Sequence, residues 1–194
     1  MTLIRSAVLV LTACTTTVQV AKDDTGPPDS PAPETGEPED SPPPDSDSAA
    51  TRWPALRINE LMASNQATVQ DATGAWSDWI ELLNPTDATV DLTGWTITDT
   101  LTEPDRHTLG ALSIQPGEHL LLWADKETDL GLDHLSFALD EEGEATGLFA
   151  PDGTAIDGLR FEDQAEDISL GRVPDGGDTW TLCSPATPGA SNGG

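Results

Sequence analysis

From residue 56 onward, apolar side chains recur at every second position in short runs, and turn residues interrupt the runs roughly every eight to fifteen residues. Period two places successive side chains on opposite faces of an extended backbone, so each run reads as a strand with one buried face. No long run repeats at 3.6 residues, which removes amphipathic helices from the core. The pattern predicts strands at 56–62, 79–83, 90–92 running into 95–98, 107–112, 119–123, 135–139, 146–149, 155–160, 168–172 and 179–182. Between them stand Asn84-Pro85, Gln115-Pro116-Gly117-Glu118, Pro151-Asp152-Gly153 and Pro174-Asp175-Gly176, where Pro presets φ and Gly accepts a positive φ. Short strands joined by tight turns pair mostly antiparallel, and two packed sheets are the expected all-β architecture.

The pattern stops abruptly upstream of residue 53. All six Trp and 26 of the 35 carboxylates lie in residues 53–194, a length suited to one domain with its own core. Those carboxylates face five basic residues, Arg57, Arg106, Lys126, Arg160 and Arg172, so the surface repels phosphate backbones and nucleic acid is excluded as a partner. Such a surface favours cations, basic proteins or neutral glycans. Residues 15–52, with Gly26-Pro27-Pro28-Asp29 and Ser41-Pro42-Pro43-Pro44-Asp45, hold almost nothing bulky and apolar. They read as a linker without fixed structure, spanning roughly 35 Å as a coil and up to about 120 Å if polyproline-like.

The first residues read as an export signal: one positive charge at Arg5, a short apolar stretch, then Leu11-Thr12-Ala13-Cys14. Those four residues resemble the bacterial lipobox. The resemblance implies that residues 1–13 are removed, that Cys14 carries lipid as the mature N-terminus, and that the chain is exported and held to the bacterial membrane. Thr15 after the Cys resembles the class sent to the outer membrane. The sixteen residues between Arg5 and Lys22 are too few and too polar for a spanning helix. With Cys14 lipidated, Cys183 reads as a small apolar residue of a last strand.

Over Arg57 to Asn192 the motifs resemble the lamin tail domain family. They are Ile58-Asn59-Glu60, Asp78-Trp79-Ile80-Glu81-Leu82 before Asn84-Pro85, Gly94-Trp95-Thr96-Ile97 with Asp99, Ile114-Gln115-Pro116-Gly117-Glu118 before Leu120-Leu121-Leu122-Trp123-Ala124, Ile156-Asp157, Ser169-Leu170-Gly171-Arg172, and Thr187-Pro188-Gly189-Ala190. The resemblance implies an immunoglobulin-like β-sandwich serving as a non-catalytic binding or scaffolding module. Family members in animals contact protein and chromatin partners, whereas bacterial ones look like accessory modules of surface proteins. The partner expected here is an envelope or extracellular protein or a glycan.

Catalytic signatures are weak. His107, His119 and His134 lie in separate segments with no second His at strand or helical spacing, so zinc has little support. Ser64, Ser77 and Ser169 sit in no nucleophile elbow. A hydrolase using paired carboxylates remains an alternative, since many acids are present. The more specific constellation is oxygen-rich: Asn59, Glu60, Asp71, Asp78, Glu81 and Asp99 as candidate calcium ligands; the competing reading has Asn59 and Glu60 bracing loops by hydrogen bonds and the other four as solvated acids. Trp79, Trp95 and Trp123 alternate with core positions and read as packing, while Trp76, on a polar loop, is the candidate for exposed contact with a partner.

Overall fold

The structure, a computed structural model, describes residues 53–193 and the backbone of Thr16–Val18; Cys14 and most of the expected linker lie outside the described residues. The strands are β1 (Thr16–Val18), β2 (Arg57–Met62), β3 (Asp78–Leu83), β4 (Val90–Asp91), β5 (Thr96–Thr98), β6 (His107–Thr108), β7 (Ser113–Ile114), β8 (His119–Ala124), β9 (His134–Leu135), β10 (Ala145–Phe149), β11 (Ala155–Arg160), β12 (Ser169–Arg172) and β13 (Trp180–Cys183). A seven-stranded sheet in the order β1-β13-β12-β2-β3-β8-β9 faces a four-stranded sheet β11-β10-β5-β6, and β4 with β7 forms a short ribbon. All pairings are antiparallel except β8 with β9.

The expected alternation holds along β3. Ile80 and Leu82 are fully buried between the sheets, with Leu61 of β2, Leu122 of β8, Ile97 of β5 and Leu148 of β10. Trp79 is also fully buried, on the opposite face, where it packs with Met62 and Trp123. In β2 the alternation is broken. Ile58 pairs with Leu82 but Glu60 pairs with Glu81, so Asn59 is an extra residue in a β-bulge. The bulge resets the phase, and Ile58 and Leu61, three residues apart, both enter the same core.

One ion pair ties the sheets together. Arg172 of β12 is buried, donates to both carboxylate oxygens of Asp157 on β11 at 2.9 and 3.0 Å, and lies 4.3 Å from the centre of the Trp180 ring. Its Nε donates to the Ile58 carbonyl, and another guanidinium nitrogen donates to Gly177 O. Each of the three guanidinium nitrogens thus donates to an acceptor, which is what a buried charge requires.

Some expected strands shorten. Of 107–112, only His107–Thr108 pairs in β6. The chain then turns at Gly110, where a Cβ would meet Leu132 at 2.9 Å, and re-enters as β7, which falls between the expected strand 107–112 and the expected turn 115–118. Of 135–139, only Leu135 joins a strand, while Phe137 and Leu139 are buried without extending it. Three residues of the expected linker, Thr16–Val18, form β1 on the edge of β13. Cys183 is buried in the last strand, β13, as expected, but it is disulfide-bonded rather than unpaired.

Replacing Ile80 or Ile97 by Ala removes a fully buried side chain from the core between the sheets. Each is expected to cost about 2–5 kcal/mol, read as a lower denaturant midpoint; an unchanged midpoint in both would contradict the register described.

Candidate functional site

The outer face of the seven-stranded sheet is covered too. Glu60 and Glu81 are cross-strand partners on that face, both fully buried, and segment 184–193 closes over them. Thr187 donates its amide and hydroxyl to Glu60 at 3.1 Å, Gly189 N donates to Glu81 at 2.7 Å, and Ser169 Oγ donates to Glu60. Asn59 Nδ2 donates to Glu81, and its Oδ1 accepts the Gly176 amide. Asn192 donates to the carbonyls of Asn59 and Arg172. Gly171 makes room for this contact, since a Cβ there would meet the Asn192 amide at 2.7 Å. Burial pushes the Glu81 carboxyl up to about 8 against its hydrogen bonds, and repulsion from Glu60 and Asp175 adds to it. Burial raises Glu60 likewise, opposed by Ser169 and Thr187.

A cleft of about 480 Å³ opens where β2 ends and β3 begins, and Asp78, Asp140, Glu141, Glu144 and Lys126 line it. Ser64 Oγ holds Glu141 at 2.9 Å, Asn65 N holds Asp78 at 3.1 Å, and Asp140 N holds Glu144 at 2.8 Å. Burial raises Asp78 to about 6, with Glu141 repelling it, and Glu144 to about 7, with Asp99 and Asp140 repelling it. Two carboxyls of this cleft therefore titrate close to neutral pH.

Beside it, the carboxylates of Asp71 on loop 63–77 and Asp125 on loop 125–133 and the imidazole of His134 on β9 bring one ligand atom each to within 4.8 Å of one another. Asp71 Oδ1 accepts from Thr73 N, Thr73 Oγ1 and Ala75 N, the bracing of an Asx-type turn. Burial works to raise this carboxyl, but those donors hold it below its usual range.

The six candidate calcium ligands are thus engaged by different partners. Asn59, Glu60 and Glu81 meet beneath segment 184–193; Asp78 lines the cleft; Asp71 joins Asp125 and His134; Asp99 pairs with Arg106 at 2.8 Å. For Asn59 and Glu60 the bracing hydrogen bonds of the competing reading are present, whereas Asp71, Glu81 and Asp99 are buried rather than solvated. Trp76 is 44% exposed, as read from its loop, whereas Trp79, Trp95 and Trp123 are buried. The sequence reading missed Asp125, Glu141, Glu144 and the role of His134, because no local spacing joins residues that meet only through strand pairing.

Two packed sheets with mostly antiparallel strands place the domain in the immunoglobulin-like β-sandwich class. The lamin tail domain family matches residues 49–163, and the chain belongs to that family. Neither a curated protein nor a solved structure matches the chain. β12 and β13 lie beyond the matched residues, yet they stand in the same sheet, between β1 and β2.

The raised carboxyls set the pH dependence of stability. Glu81, Asp78 and Glu144 have folded values above their unfolded ones of 4.5, 3.8 and 4.5, so the fold binds more protons than the unfolded chain between those limits. Their contribution is fully present below about pH 4 and is lost as pH rises through about 6, 7 and 8. The thermal midpoint at constant ionic strength is expected to fall from about pH 5 to about pH 8.5. Glu81→Gln, whose single amide oxygen keeps one of the two bonds from Asn59 and Gly189, should remove the upper part of that fall. A midpoint that rises across the interval would overturn the assignment.

Proposed function

We propose that this chain is an exported, lipid-anchored protein that presents its lamin tail sandwich at the bacterial envelope as a non-catalytic binding module. The observation that carries the binding reading is the carboxylate-lined cleft of Asp78, Asp140, Glu141 and Glu144. A concave site with focused negative potential suits an envelope or extracellular protein, or an amino-bearing glycan, that brings a cationic group to it. Trp76, Leu130 and Leu132, the exposed large apolar side chains among the described residues, offer additional contact area.

Export is supported twice over. The Leu11-Thr12-Ala13-Cys14 motif implies lipidation outside the cytosol, and the disulfide on Cys183 belongs to an oxidising compartment. The Cys14 sulfur takes a lipid thioether or a disulfide, not both, so the two are alternative mature forms. With the thioether, β1 begins two residues from the anchor and holds the domain close to the bilayer; the linker then joins two strands of one sheet. A hydrolase using paired carboxylates is the second reading, favoured by Asp78 and Glu144, which titrate near neutral pH in the same cleft.

The mass of the N-terminal peptide from membrane-purified protein separates the forms. A lipid-modified peptide starting at Cys14 is expected, with loss of membrane partitioning in Cys14→Ser; a peptide disulfide-linked to Cys183 would make the protein soluble and exported instead. For the cleft, Glu141→Gln with Glu144→Gln should release the envelope partner held by the parent chain. Retention of that partner would place binding elsewhere, and turnover of an envelope substrate lost in Asp78→Asn would establish the hydrolase.

A further inference from the structure

We propose that Asp71, Asp125 and His134 form a binding site for one divalent transition-metal ion, with Zn2+ the best fit. Their ligand atoms lie within 4.8 Å of one another. Oxygen and nitrogen ligands about 2.0–2.2 Å from one zinc ion stand about 3–4 Å apart, so small side-chain rotations close the set. Imidazole with carboxylates suits first-row transition ions, whereas calcium takes six to eight oxygens.

A second observation points to a ligand independently of the clustering. Asp71 is only 7% exposed, and while its Oδ1 accepts three hydrogen bonds, its Oδ2 is buried and accepts none. An ionised oxygen withdrawn from water without a donor is costly, and a cation is the partner that this geometry lacks.

The other two ligands are also oriented. His134 is 3% exposed, its Nδ1 lies 2.7 Å from Asp125 Oδ2, and its ring faces Trp123 at 6.5 Å between centroids. Asp125 accepts the Glu127 amide at 2.9 Å and the Ser77 hydroxyl at 3.3 Å. The Glu127 and Ser77 bonds orient Asp125 from outside the set, while the contact between His134 and Asp125 lies within it and holds the two ligands side by side. Three protein ligands leave coordination positions for water or for a group of a bound partner. The ion would fasten loop 63–77 to loop 125–133.

The test uses the full-length protein, stripped with chelator and kept in excess Mg2+ so that scattered surface carboxylates are already occupied. Calorimetric titration with Zn2+ is expected to give one ion per chain, and Co2+ to give a visible d–d absorption band that Zn2+ abolishes. Asp71→Asn keeps an oxygen acceptor for Thr73 and Ala75, so the turn is retained. It and His134→Gln are each expected to weaken Zn2+ binding by about 10–100-fold. Absence of the Co2+ band, Ca2+ binding as tightly as Zn2+, or unchanged affinity in both variants would overturn the site. Because the parent's Co2+ band needs no substitution, the proposal stays testable even where a variant fails to fold.

Discussion

The extra residue in β2 is the constraint from which the rest of the domain follows. Without the bulge at Asn59, Ile58 and Leu61 would face opposite sides, and one of them would leave the core between the sheets. With it, both stay inside, and Glu60 is placed opposite Glu81 on the outer face. Two carboxylates directly across a strand pair repel each other. The domain accommodates them by burial, which raises both carboxyls above their ordinary range, and by laying segment 184–193 over them as a set of donors. A buried pair of this kind stabilises only when every oxygen is satisfied, so the bulge and the closing segment depend on each other.

That arrangement fixes where loops can gather. Asp78 pairs with Ala124 and Met62 with Trp79, so loop 63–77 and loop 125–133 leave the seven-stranded sheet at the same end. The carboxylate cleft and the Asp71, Asp125 and His134 cluster both stand there, on strands whose opposite faces are each covered. Loops that project from a rigid sheet end can carry polar and charged groups that the core cannot hold. The Arg172–Asp157 pair supplies rigidity across the sandwich, and its guanidinium also accounts for the β2 carbonyl freed at Ile58.

The sequence made the strands legible because period two is a local property. Ile80 and Ile97 were placed on the core face from their neighbours alone, and both are fully buried. The family motifs carried the sandwich class. What was not legible is whatever depends on distant chain. Glu60 and Glu81 read as candidate calcium ligands because the residues that bury them, Thr187 and Gly189, are more than a hundred positions away. Asp71 was grouped with other early acids as a calcium ligand, whereas pairing of β3 with β8 brings it to Asp125 and His134. Histidine spacing could not reveal His134, since its companions are carboxylates on two loops. The short β6, the turn at Gly110 and the disulfide at Cys183 are likewise tertiary outcomes.

The strand order also dictates when this domain can finish folding. β12 and β13 are inserted between β1 and β2, and the hydroxyl that closes over Glu60 comes from a residue 127 positions later in the chain. A ribosome that has released only the residues up to 163 presents two facing glutamates, an unpaired edge on β2, and an Asp157 whose arginine has yet to be made. Contacts so distant along the chain close late, because loop-closure entropy must be overcome before they reward the fold. Completion therefore waits until β12, β13 and segment 184–193 have been made, and until then the nascent chain stays open along the edge of β2.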